Sequence, residues 1–372
     1  MGILRTNTLS GIGTDGPVFD GVTRLDTFGY VVPPVGITSD RTLVGVTTAQ
    51  GSIRFNTDSQ KLEFYAQDQW WEMVIDTPAL AVSSNSEAGA RGVFGGGAGG
   101  SSVIDYINIS STGNAISFGS LSQGRGYNAS CASNVRGIWA GGYVPSPALS
   151  SNVIDFVTIS STGNAADFGD LTVGRYYLAG CSSATRGLFG GSGPSTGTNT
   201  IDYITISATG NAVDYGDLTL ARGQLFSCSS PTRGIWAGGN TPTAQNIIDY
   251  VTISTLGNAV DFGDLTVARA TNAGCSNSIR GLFGFTTPNI DYITLSTLGN
   301  AVTFGSGTLG RTVPAACASS TRGVWGGGYA TPAYNNTIEY VTIAVQGNAV
   351  DFGDLTAARG QFAACSNAHG GL

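Results

Sequence analysis

The chain of 372 residues has few charged side chains and few of the residues that usually perform catalysis. Asp, Glu, Lys and Arg make up 11% of it, with one lysine (Lys61), one histidine (His369) and a formal net charge of -7. A chain without a basic stripe cannot neutralise the phosphates of nucleic acid or the headgroups of an anionic membrane. These counts therefore argue against both kinds of partner.

Long hydrophobic runs are also missing. No stretch approaches the roughly 20 apolar residues of a membrane-spanning helix. The first residues, MGILRTNTLSG, show neither the charged nor the apolar region of a secretory signal. We therefore expect neither membrane insertion nor secretion.

Glycine, in contrast, is abundant, with 56 copies. These glycines have no three-residue period and are interleaved with Ile, Val, Phe, Tyr and Trp at strand-like spacing, which excludes collagen and argues against disorder. Gly, Thr and Asn interrupt every stretch before three helical turns could form. An all-β chain with almost no helix is therefore predicted.

A repeat of about 45 residues dominates the chain, and this period is typical of propellers or solenoids. Each unit holds four short β-rich runs, for example RGIWAGG, IIDYVTIST, GNAVDFGDLT and ARATNAGCSN in the fourth unit. Four such runs predict one four-stranded blade per unit. The six units begin at Arg91, Arg136, Arg186, Arg233, Arg280 and Arg322.

The register of the repeat predicts how the two ends meet. The first unit begins at its second strand, and the chain finishes on an extra first-strand segment, ARGQFAACSNA from Ala358. We expect this segment to complete the first blade, which would close the ring and remove open sheet edges. The predicted fold is a six-bladed β-propeller closed by a C-terminal strand.

The units resemble the kelch repeat over residues 91–368. The resemblance is carried by an Arg-led strand, an aliphatic-aromatic strand ending in a Gly pair, and a strand with an acidic residue beside Tyr. It implies a kelch-like propeller in which ARATNAGCSN is the innermost strand and RGIWAGG the second. The fifth unit, RGLFGF, lacks the Gly pair. Another aromatic residue replaces the usual fourth-strand Trp at Phe168, Tyr215, Phe262 and Phe352.

Twelve of the sixteen arginines occupy two repeated positions, and an acidic residue recurs before the Tyr or Phe of each third strand. Arginine suits planar, bidentate contacts with carboxylates, so we expect Arg-carboxylate pairs within or between blades. A ring of substrate-binding arginines is the alternative. The predicted structural pairs involve Arg136, Asp155, Arg186, Asp202, Arg233 and Asp249.

The six cysteines share one position in the repeat. Equivalent positions on successive blades are too far apart for a disulfide, whose Cα atoms must lie within about 7 Å. Their wide spacing also offers no metal cluster. We therefore interpret them as free thiols that act as small apolar fillers. They are Cys131, Cys181, Cys228, Cys275, Cys317 and Cys365.

Catalysis has no obvious place in this sequence. His369 lies three residues from the end, where a general base would be poorly positioned, so a surface tail is predicted. Asp167 and Asp170 of the repeated DFGD string could hold calcium between blades, although a solvated turn is favoured. We predict no catalytic residue, metal or cofactor, and no enzymatic activity.

Residues 1–78 lack the repeat and predict a small β domain, followed by a linker over 79–90 and the propeller over 91–372. The segment GSIRFNTDSQKLEFYAQDQWWEMV predicts three strands, which are marginal alone, so docking or oligomerisation would supply the missing burial. Residues 1–21 are glycine-rich and predict an extended arm. The predicted core of the domain is Ile53, Phe55, Leu62, Phe64 and Trp71.

This segment resembles short β modules of bacteriophage structural and fibre proteins, through GSIRFNT, KLEFY and the terminal Trp. Residues 1–21 resemble the N-termini of tailed-phage virion proteins, especially those of cyanophages. The resemblance implies a fibre, or a capsid or tail decoration, that is assembled in the host cytoplasm. It also implies contacts with other virion proteins through the N-terminal domain, and a homo-oligomer.

The loops between the second and third strands vary most between units, and variable loops on a rigid scaffold are the usual place for recognition. A host-surface glycan or protein is the expected partner, although these loops could also be inert. Two alternative functions are an intracellular kelch-like interaction module and a carbohydrate-active propeller enzyme. The candidate binding residues are Tyr143, Phe285, Tyr329 and Tyr334.

Overall fold

The computed structural model describes residues 35–42, 51–58, 61–72, 90–193 and 197–372. The chain divides into two compact units, residues 1–82 and 83–372. The predicted arm over residues 1–21 and the predicted linker up to residue 89 lie outside the described residues.

The first unit contains a four-stranded sheet in the order β1-β2-β3-β4. β1 runs parallel to β2, whereas β2, β3 and β4 are antiparallel neighbours. The three strands predicted in this segment are β2, β3 and β4. The elements are β1 (Val35–Gly36), the 3-10 helix η1 (Thr38–Thr42), β2 (Ile53–Asn56), β3 (Lys61–Ala66) and β4 (Gln69–Glu72).

The buried face of this small sheet is polar, which corrects the predicted apolar core. Asn56 and Glu63 are fully buried, and Glu63 pairs with Arg41 of η1. Ile53 and Trp71 are instead 48% and 46% exposed. Alternate residues of a strand point to opposite faces, so burial of the polar residues leaves the apolar ones on the other face. The other predicted core residues are partly buried: Phe55, Leu62 and Phe64.

Among its described residues, the second unit contains six four-stranded antiparallel sheets, numbered I to VI here, and two small hairpins. Sheet I contains β5 (Arg91–Gly95), β6 (Val103–Asn108), β7 (Ile116–Ser120) and the last strand, β32 (Ala363–Ser366). Sheet II contains β8 (Ala129–Ala132), β9 (Arg136–Ala140), β12 (Val153–Thr158) and β13 (Ala166–Asp170). Sheet III contains β14 (Ala179–Ser182), β15 (Arg186–Ser192), β16 (Thr198–Thr205) and β17 (Val213–Asp217).

Sheet IV contains β18 (Phe226–Ser229), β19 (Arg233–Ala237), β20 (Ile247–Thr252) and β21 (Val260–Asp264). Sheet V contains β22 (Ala273–Ser276), β23 (Arg280–Gly284), β24 (Asn289–Thr294) and β25 (Val302–Ser306). Sheet VI contains β26 (Ala315–Ala318), β27 (Arg322–Gly326), β30 (Thr337–Thr342) and β31 (Val350–Asp354). The hairpins are β10 (Tyr143–Pro145) with β11 (Ala148–Ser150), and β28 (Tyr329–Ala330) with β29 (Ala333–Tyr334).

Strand order within the sheets follows the repeat. In sheets II to VI the strand that precedes each Arg-Gly dipeptide lies at one edge, and the DFGD-type strand lies at the other. The predicted pairing of the chain end with the first sheet is confirmed, since β32 pairs antiparallel with β5 and Cys365 lies opposite Val93. Within the described residues, η1 is the one helical element. The all-β prediction is confirmed, and the repeated sheets are compatible with a β-propeller.

The apolar core lies between neighbouring sheets. Six clusters of buried side chains each combine residues of two consecutive sheets. One of them joins the last sheet to the first, where Phe94 and Ile107 of sheet I pack with Val324 and Phe352 of sheet VI. Each sheet therefore buries both of its faces, which explains why its third strand carries apolar residues on both faces, as Ile201 and Ile204 do in sheet III.

Each buried cysteine packs against a glycine of the next sheet. A β-carbon added to Gly187 would lie 2.5 Å from the Sγ atom of Cys131, so the Arg-Gly dipeptide needs glycine for this close approach. All six thiols are free and buried, and burial raises the pKa of Cys365 to about 12. The other pairs are Cys181 with Gly234, Cys228 with Gly281, Cys275 with Gly323, Cys317 with Gly92, and Cys365 with Gly137.

Candidate functional site

The recurrent acidic residues pair with the second repeated arginine of each unit, not with the arginine of the Arg-Gly dipeptide. The Nη1 atom of Arg222 lies 2.8 Å from Oδ2 of Asp249, and both side chains are fully buried. Arg233 lies opposite Thr252, whereas Asp249 lies opposite Trp236, three residues further along β19. The same partners recur as Arg125 with Asp155, Arg175 with Asp202, Arg269 with Asp291, Arg311 with Glu339, and Arg359 with Asp105.

Pairing of Arg136 with Asp155, of Arg186 with Asp202 or of Arg233 with Asp249 is therefore not found. Three residues of strand separate such partners by about 10 Å, which is too far for an ion pair. Instead, Arg233 places its guanidinium 4.9 Å from the ring centroid of Tyr250 and donates from Nη1 to the carbonyl oxygen of Leu295 in the next sheet, at 2.7 Å. The same two contacts are made by Arg91, Arg136, Arg186, Arg280 and Arg322.

A circuit of backbone hydrogen bonds connects the turns that enter the first strands of the six sheets. The amide of Tyr177 donates to the carbonyl oxygen of Tyr127 at 3.0 Å, and the amide of Gln224 donates to that of Tyr177 at 2.9 Å. The series continues and returns to its start, where the amide of Tyr127 donates to the carbonyl oxygen of Gln361 at 2.6 Å. We call the six residues of this circuit the rim: Tyr127, Tyr177, Gln224, Thr271, Val313 and Gln361.

The rim residues all have a left-handed backbone conformation, with φ between 51° and 65°. L-amino acids disfavour this region, and the β-branched residues Thr271 and Val313 are the least suited to it. Glycine adopts it freely, and this chain uses glycine at comparable φ elsewhere, for example at Gly238 with φ 60°. No rim position carries glycine. Each rim residue therefore has a side chain although its backbone conformation favours glycine.

Tyrosine side chains cover one part of the rim. The ring centroids of Tyr127 and Tyr177 lie 4.0 Å apart, and Tyr176 lies 5.1 Å from Tyr177. Tyr143 extends the group at 5.5 Å from Tyr176. All four rings are partly exposed. Partial burial raises the pKa of Tyr127, so its hydroxyl group remains a protonated hydrogen-bond donor at neutral pH.

Three of the four predicted loop residues lie beside the rim. The turn residue Gly126 forms an isolated bridge with Tyr143. The Nε2 atom of the rim residue Gln361 donates to the hydroxyl oxygen of Tyr334 at 2.8 Å. Tyr329 is 37% exposed and packs edge-on against Tyr334 at 5.4 Å. The structure therefore brings the tyrosine loops and the rim to one end of the sheets.

Phe285, the fourth predicted binding residue, is fully buried and is not part of this surface. Its ring packs 5.0 Å from that of Trp325 and lies 4.9 Å from the guanidinium carbon of Arg311. A left-handed backbone at Phe285, with φ 96°, accompanies this inward position. The residue occupies the position of Gly238, the first glycine of the pair in the fourth unit, and its ring fills the core between sheets V and VI.

The first strands of all six sheets line a series of small cavities below the rim. A cavity of about 70 Å³ is lined by the rim residues and their immediate neighbours. We call the opening of this cavity between the rim residues the mouth. A second cavity of about 110 Å³ lies one layer deeper, lined in part by Ser130, Ser227 and Phe362. The mouth is therefore concave and opens between the rim side chains.

His369 lies at the other end of these strands, which corrects its prediction as a surface tail residue. It lines a cavity of about 50 Å³ together with the six cysteines. Its Nε2 atom lies 2.9 Å from the carbonyl oxygen of Ala132, and its Nδ1 atom accepts a hydrogen bond from the amide of Gly371. This pattern requires a neutral ring with the proton on Nε2, and burial lowers the pKa of His369. The chain turns inward after β32 because Gly370 donates to the carbonyl oxygen of Ser276 in sheet V.

The DFGD segments lie away from the rim and connect neighbouring sheets. The backbone amide of Asp170 donates to Oδ1 of Asn211 at 3.0 Å, and the amide of Gly210 donates to the carbonyl oxygen of Phe168 at 2.8 Å. Asp167 is exposed. In the part of the chain that the structure describes, no group of three or more His, Cys, Asp or Glu side chains could hold a metal ion.

No protein-family model and no curated protein matches this chain. The candidate site therefore rests on its own geometry. The rim was not among the predicted residues, although the sequence contains a signal for it. Every rim residue lies two positions after the second repeated arginine, and its identity differs between units while the arginine does not change. Among the described residues, no helix is long and apolar enough to cross a membrane.

Proposed function

We propose that the six sheets close into a six-bladed β-propeller, and that the chain is a non-enzymatic structural protein of a tailed-phage virion that uses this propeller to bind the host surface. The rim circuit carries the proposal. Equivalent residues of six successive sheets are hydrogen-bonded in series, and the series returns to Tyr127. Such a circuit supports an arrangement of the sheets about a common axis.

Further circuits of contacts support the same arrangement. Each Gly-Asn turn donates to the DFGD-type strand of the preceding sheet, and the series ends with Gly113 donating to the carbonyl oxygen of Phe352 at 2.8 Å. The arginine series likewise runs from sheet to sheet and ends with Arg322 donating to the carbonyl oxygen of Ile109. The pairing of β32 with β5 joins the two ends of the second unit. A ring held at several radii is a rigid support that leaves only short sheet edges.

The variation between units supports recognition at the rim end. The repeated arginines, acidic residues and cysteines are copied into every unit, whereas the rim residues and the loops beside them differ. Residues that a scaffold requires recur in each unit, and residues that contact a partner are free to vary. The exposed tyrosines of this end are suited to such contacts, since each offers an apolar ring and a polar hydroxyl group.

The virion setting is supported by the resemblance of residues 51–74 to phage structural modules. The small sheet in this segment buries Glu63 and Asn56 while Ile53 and Trp71 remain about half exposed. Burial of charged groups contributes little net stability, so covering the apolar face would supply the missing stabilisation. We propose that other virion proteins or further copies of this chain cover that face.

The proposal is tested by locating the chain and by measuring its binding to host cells. Immunogold labelling of purified particles with an antibody against the full chain should place label on the virion. Fluorescently labelled full chain should bind host cells saturably, with a strain resistant to the phage as the control. Label confined to the host cytoplasm would favour an intracellular interaction module instead. Release of fragments from host polysaccharide would favour a carbohydrate-active enzyme.

A further inference from the structure

We infer that the rim and the tyrosines beside it form a binding site for a neutral saccharide. In this site Tyr127 and Tyr177 provide the stacking surface, and Gln224 and Gln361 provide hydrogen-bonding amides. The inference deepens the proposed function by naming a ligand class, and it relies on that function only for the biological setting.

Backbone conformation is the first observation that points to a ligand. A left-handed backbone conformation is unfavourable for a non-glycine residue, and the rim contains six such residues. The hydrogen bonds of the circuit use backbone atoms alone, so glycine would form them without this cost. A protein with 56 glycines nevertheless places side chains at all six positions. Conformational strain of this kind is concentrated at ligand-binding sites.

The chemistry of the rim is the second observation. Its side chains are two tyrosines, two glutamines, a threonine and a valine, so none of them is charged. The nearby arginines are not available to an anion, since Arg125 is fully buried against Asp155 and Arg175 is similarly placed against Asp202. A phosphate, sulfate or carboxylate ligand would therefore find no exposed cation at the rim. A neutral ligand with an apolar face and several hydroxyl groups matches these side chains.

The shape of the mouth is the third observation. The cavity of about 70 Å³ between the rim side chains has room for a few water molecules or for the edge of one sugar ring. The tyrosine group lies on one side of this opening, and Tyr334 is held beside it by Gln361. A pyranose can therefore place its C–H face on the tyrosines while an exocyclic hydroxyl group enters the cavity. Concave sites with aromatic walls and a few polar groups are typical of small-ligand binding.

Saturation-transfer NMR on the full chain tests this inference. The probes are the methyl glycosides of glucose, galactose, mannose and N-acetylglucosamine, with methyl glucuronide as a charged comparison. At least one neutral glycoside should receive saturation from the wild-type protein, and the charged glycoside should receive much less. Tyr127→Gly and Tyr177→Gly should each reduce the effect at least tenfold.

Gln67→Gly is the matched control, because it also places glycine at a left-handed position, with φ 52°, and this position lies outside the rim. It should retain glycoside binding. Tyr177→Thr serves as a second variant, since the chain itself carries threonine at the equivalent position 271. It keeps a side chain in the same backbone conformation and should still lose binding, which separates loss of the ring from loss of folding.

Three outcomes would overturn the inference: no transfer to any neutral glycoside, unchanged transfer in folded Tyr127→Gly and Tyr177→Gly variants, or equal transfer to methyl glucuronide. Failure here is distinguishable from failure of the proposed function. If the tyrosine variants still bind host cells and no glycoside binds, the saccharide site is wrong and the recognition proposal stands. If glycosides bind at the rim but the chain does not bind host cells, the saccharide site stands and the recognition proposal is wrong.

Discussion

The Sγ atom of Cys181 lies directly against Gly234 of the next sheet, where an added β-carbon would be 2.8 Å away. This relationship recurs around all six sheets and explains two features of the repeat together. The cysteine fills the gap between neighbouring sheets, and the Arg-Gly dipeptide leaves room for it. Neither residue can be enlarged without separating the sheets, because protein interiors are close-packed.

Gly234→Ala should therefore destabilise the second unit by about 1–3 kcal/mol, the usual cost of overpacking a core. Adding Cys181→Ala should recover part of that loss, because removal of the sulfur makes space for the new methyl group. Chemical denaturation of the single and double variants measures both effects as a double-mutant cycle.

Gly163→Ala is the control for this prediction. A β-carbon at Gly163 meets nothing within 4 Å, so its effect on stability should be within about 0.5 kcal/mol. Equal destabilisation by Gly163→Ala and Gly234→Ala, or no recovery in the double variant, would contradict the prediction. It would show that the Cys181 sulfur is not the reason that position 234 requires glycine.

Asp249→Ala should destabilise the second unit more than Gly234→Ala does, because it leaves the guanidinium of Arg222 buried without its carboxylate partner. The two groups lie 2.8 Å apart and are both fully buried, and Asp249 also accepts a hydrogen bond from Oγ1 of Thr219. Breaking a buried pair by removing one partner typically costs about 3–5 kcal/mol. Asp261→Ala is the matched control, since Asp261 lies opposite Asp249 on the next strand and is exposed. A similar denaturation midpoint for the two variants would contradict a structural role for the buried pair.

The strands were predictable because their signals are local. Turn-forming glycines and β-branched runs recur in every unit, so the four strands of each unit could be derived from the repeat. The pairing of the last strand with the first sheet could be derived in the same way. The partner of Asp249 was not predictable in the same way. Arg222 and Arg233 are both repeated arginines, and the choice between them depends on where the turn before β18 lies relative to β20.

The candidate site was harder to predict than the fold. Nothing in the identity of Gln224 or Val313 indicates a left-handed backbone, since residues of both types usually avoid it. The hydrogen bonds of the rim join residues from different sheets, and their closure into a circuit becomes visible only in three dimensions. His369 is a similar case, since its position depends on contacts with Ala132, which is more than half the chain away.

The stability of the second unit should fall as the solution is acidified below about pH 6.5, in part because of His369. Burial lowers the pKa of this ring from 6.5, so the unfolded chain takes up the proton first. The contribution of the neutral His369 ring to the free energy of unfolding is complete above pH 6.5. It is lost as the pH falls through the lower pKa that this ring has in the folded state. His369→Gln keeps an amide donor for Ala132 without a titratable ring, so it should flatten this part of the pH profile. Denaturation midpoints measured between pH 5 and pH 8 provide the comparison, and identical slopes for the two proteins would contradict the prediction.

Removal of the last strand tests the proposed ring directly. A chain that ends at residue 362 loses β32, which exposes the edge of β5 and removes the carbonyl oxygen of Ala363 that accepts a hydrogen bond from Nε1 of Trp139. We expect a lower melting temperature, a broader transition and association through the open edge. A chain that ends at residue 367 keeps β32 and loses only the turn that holds His369, so it should remain monodisperse with a modest loss of stability. Equal stability of the two truncated chains would mean that the terminal strand does not close the ring.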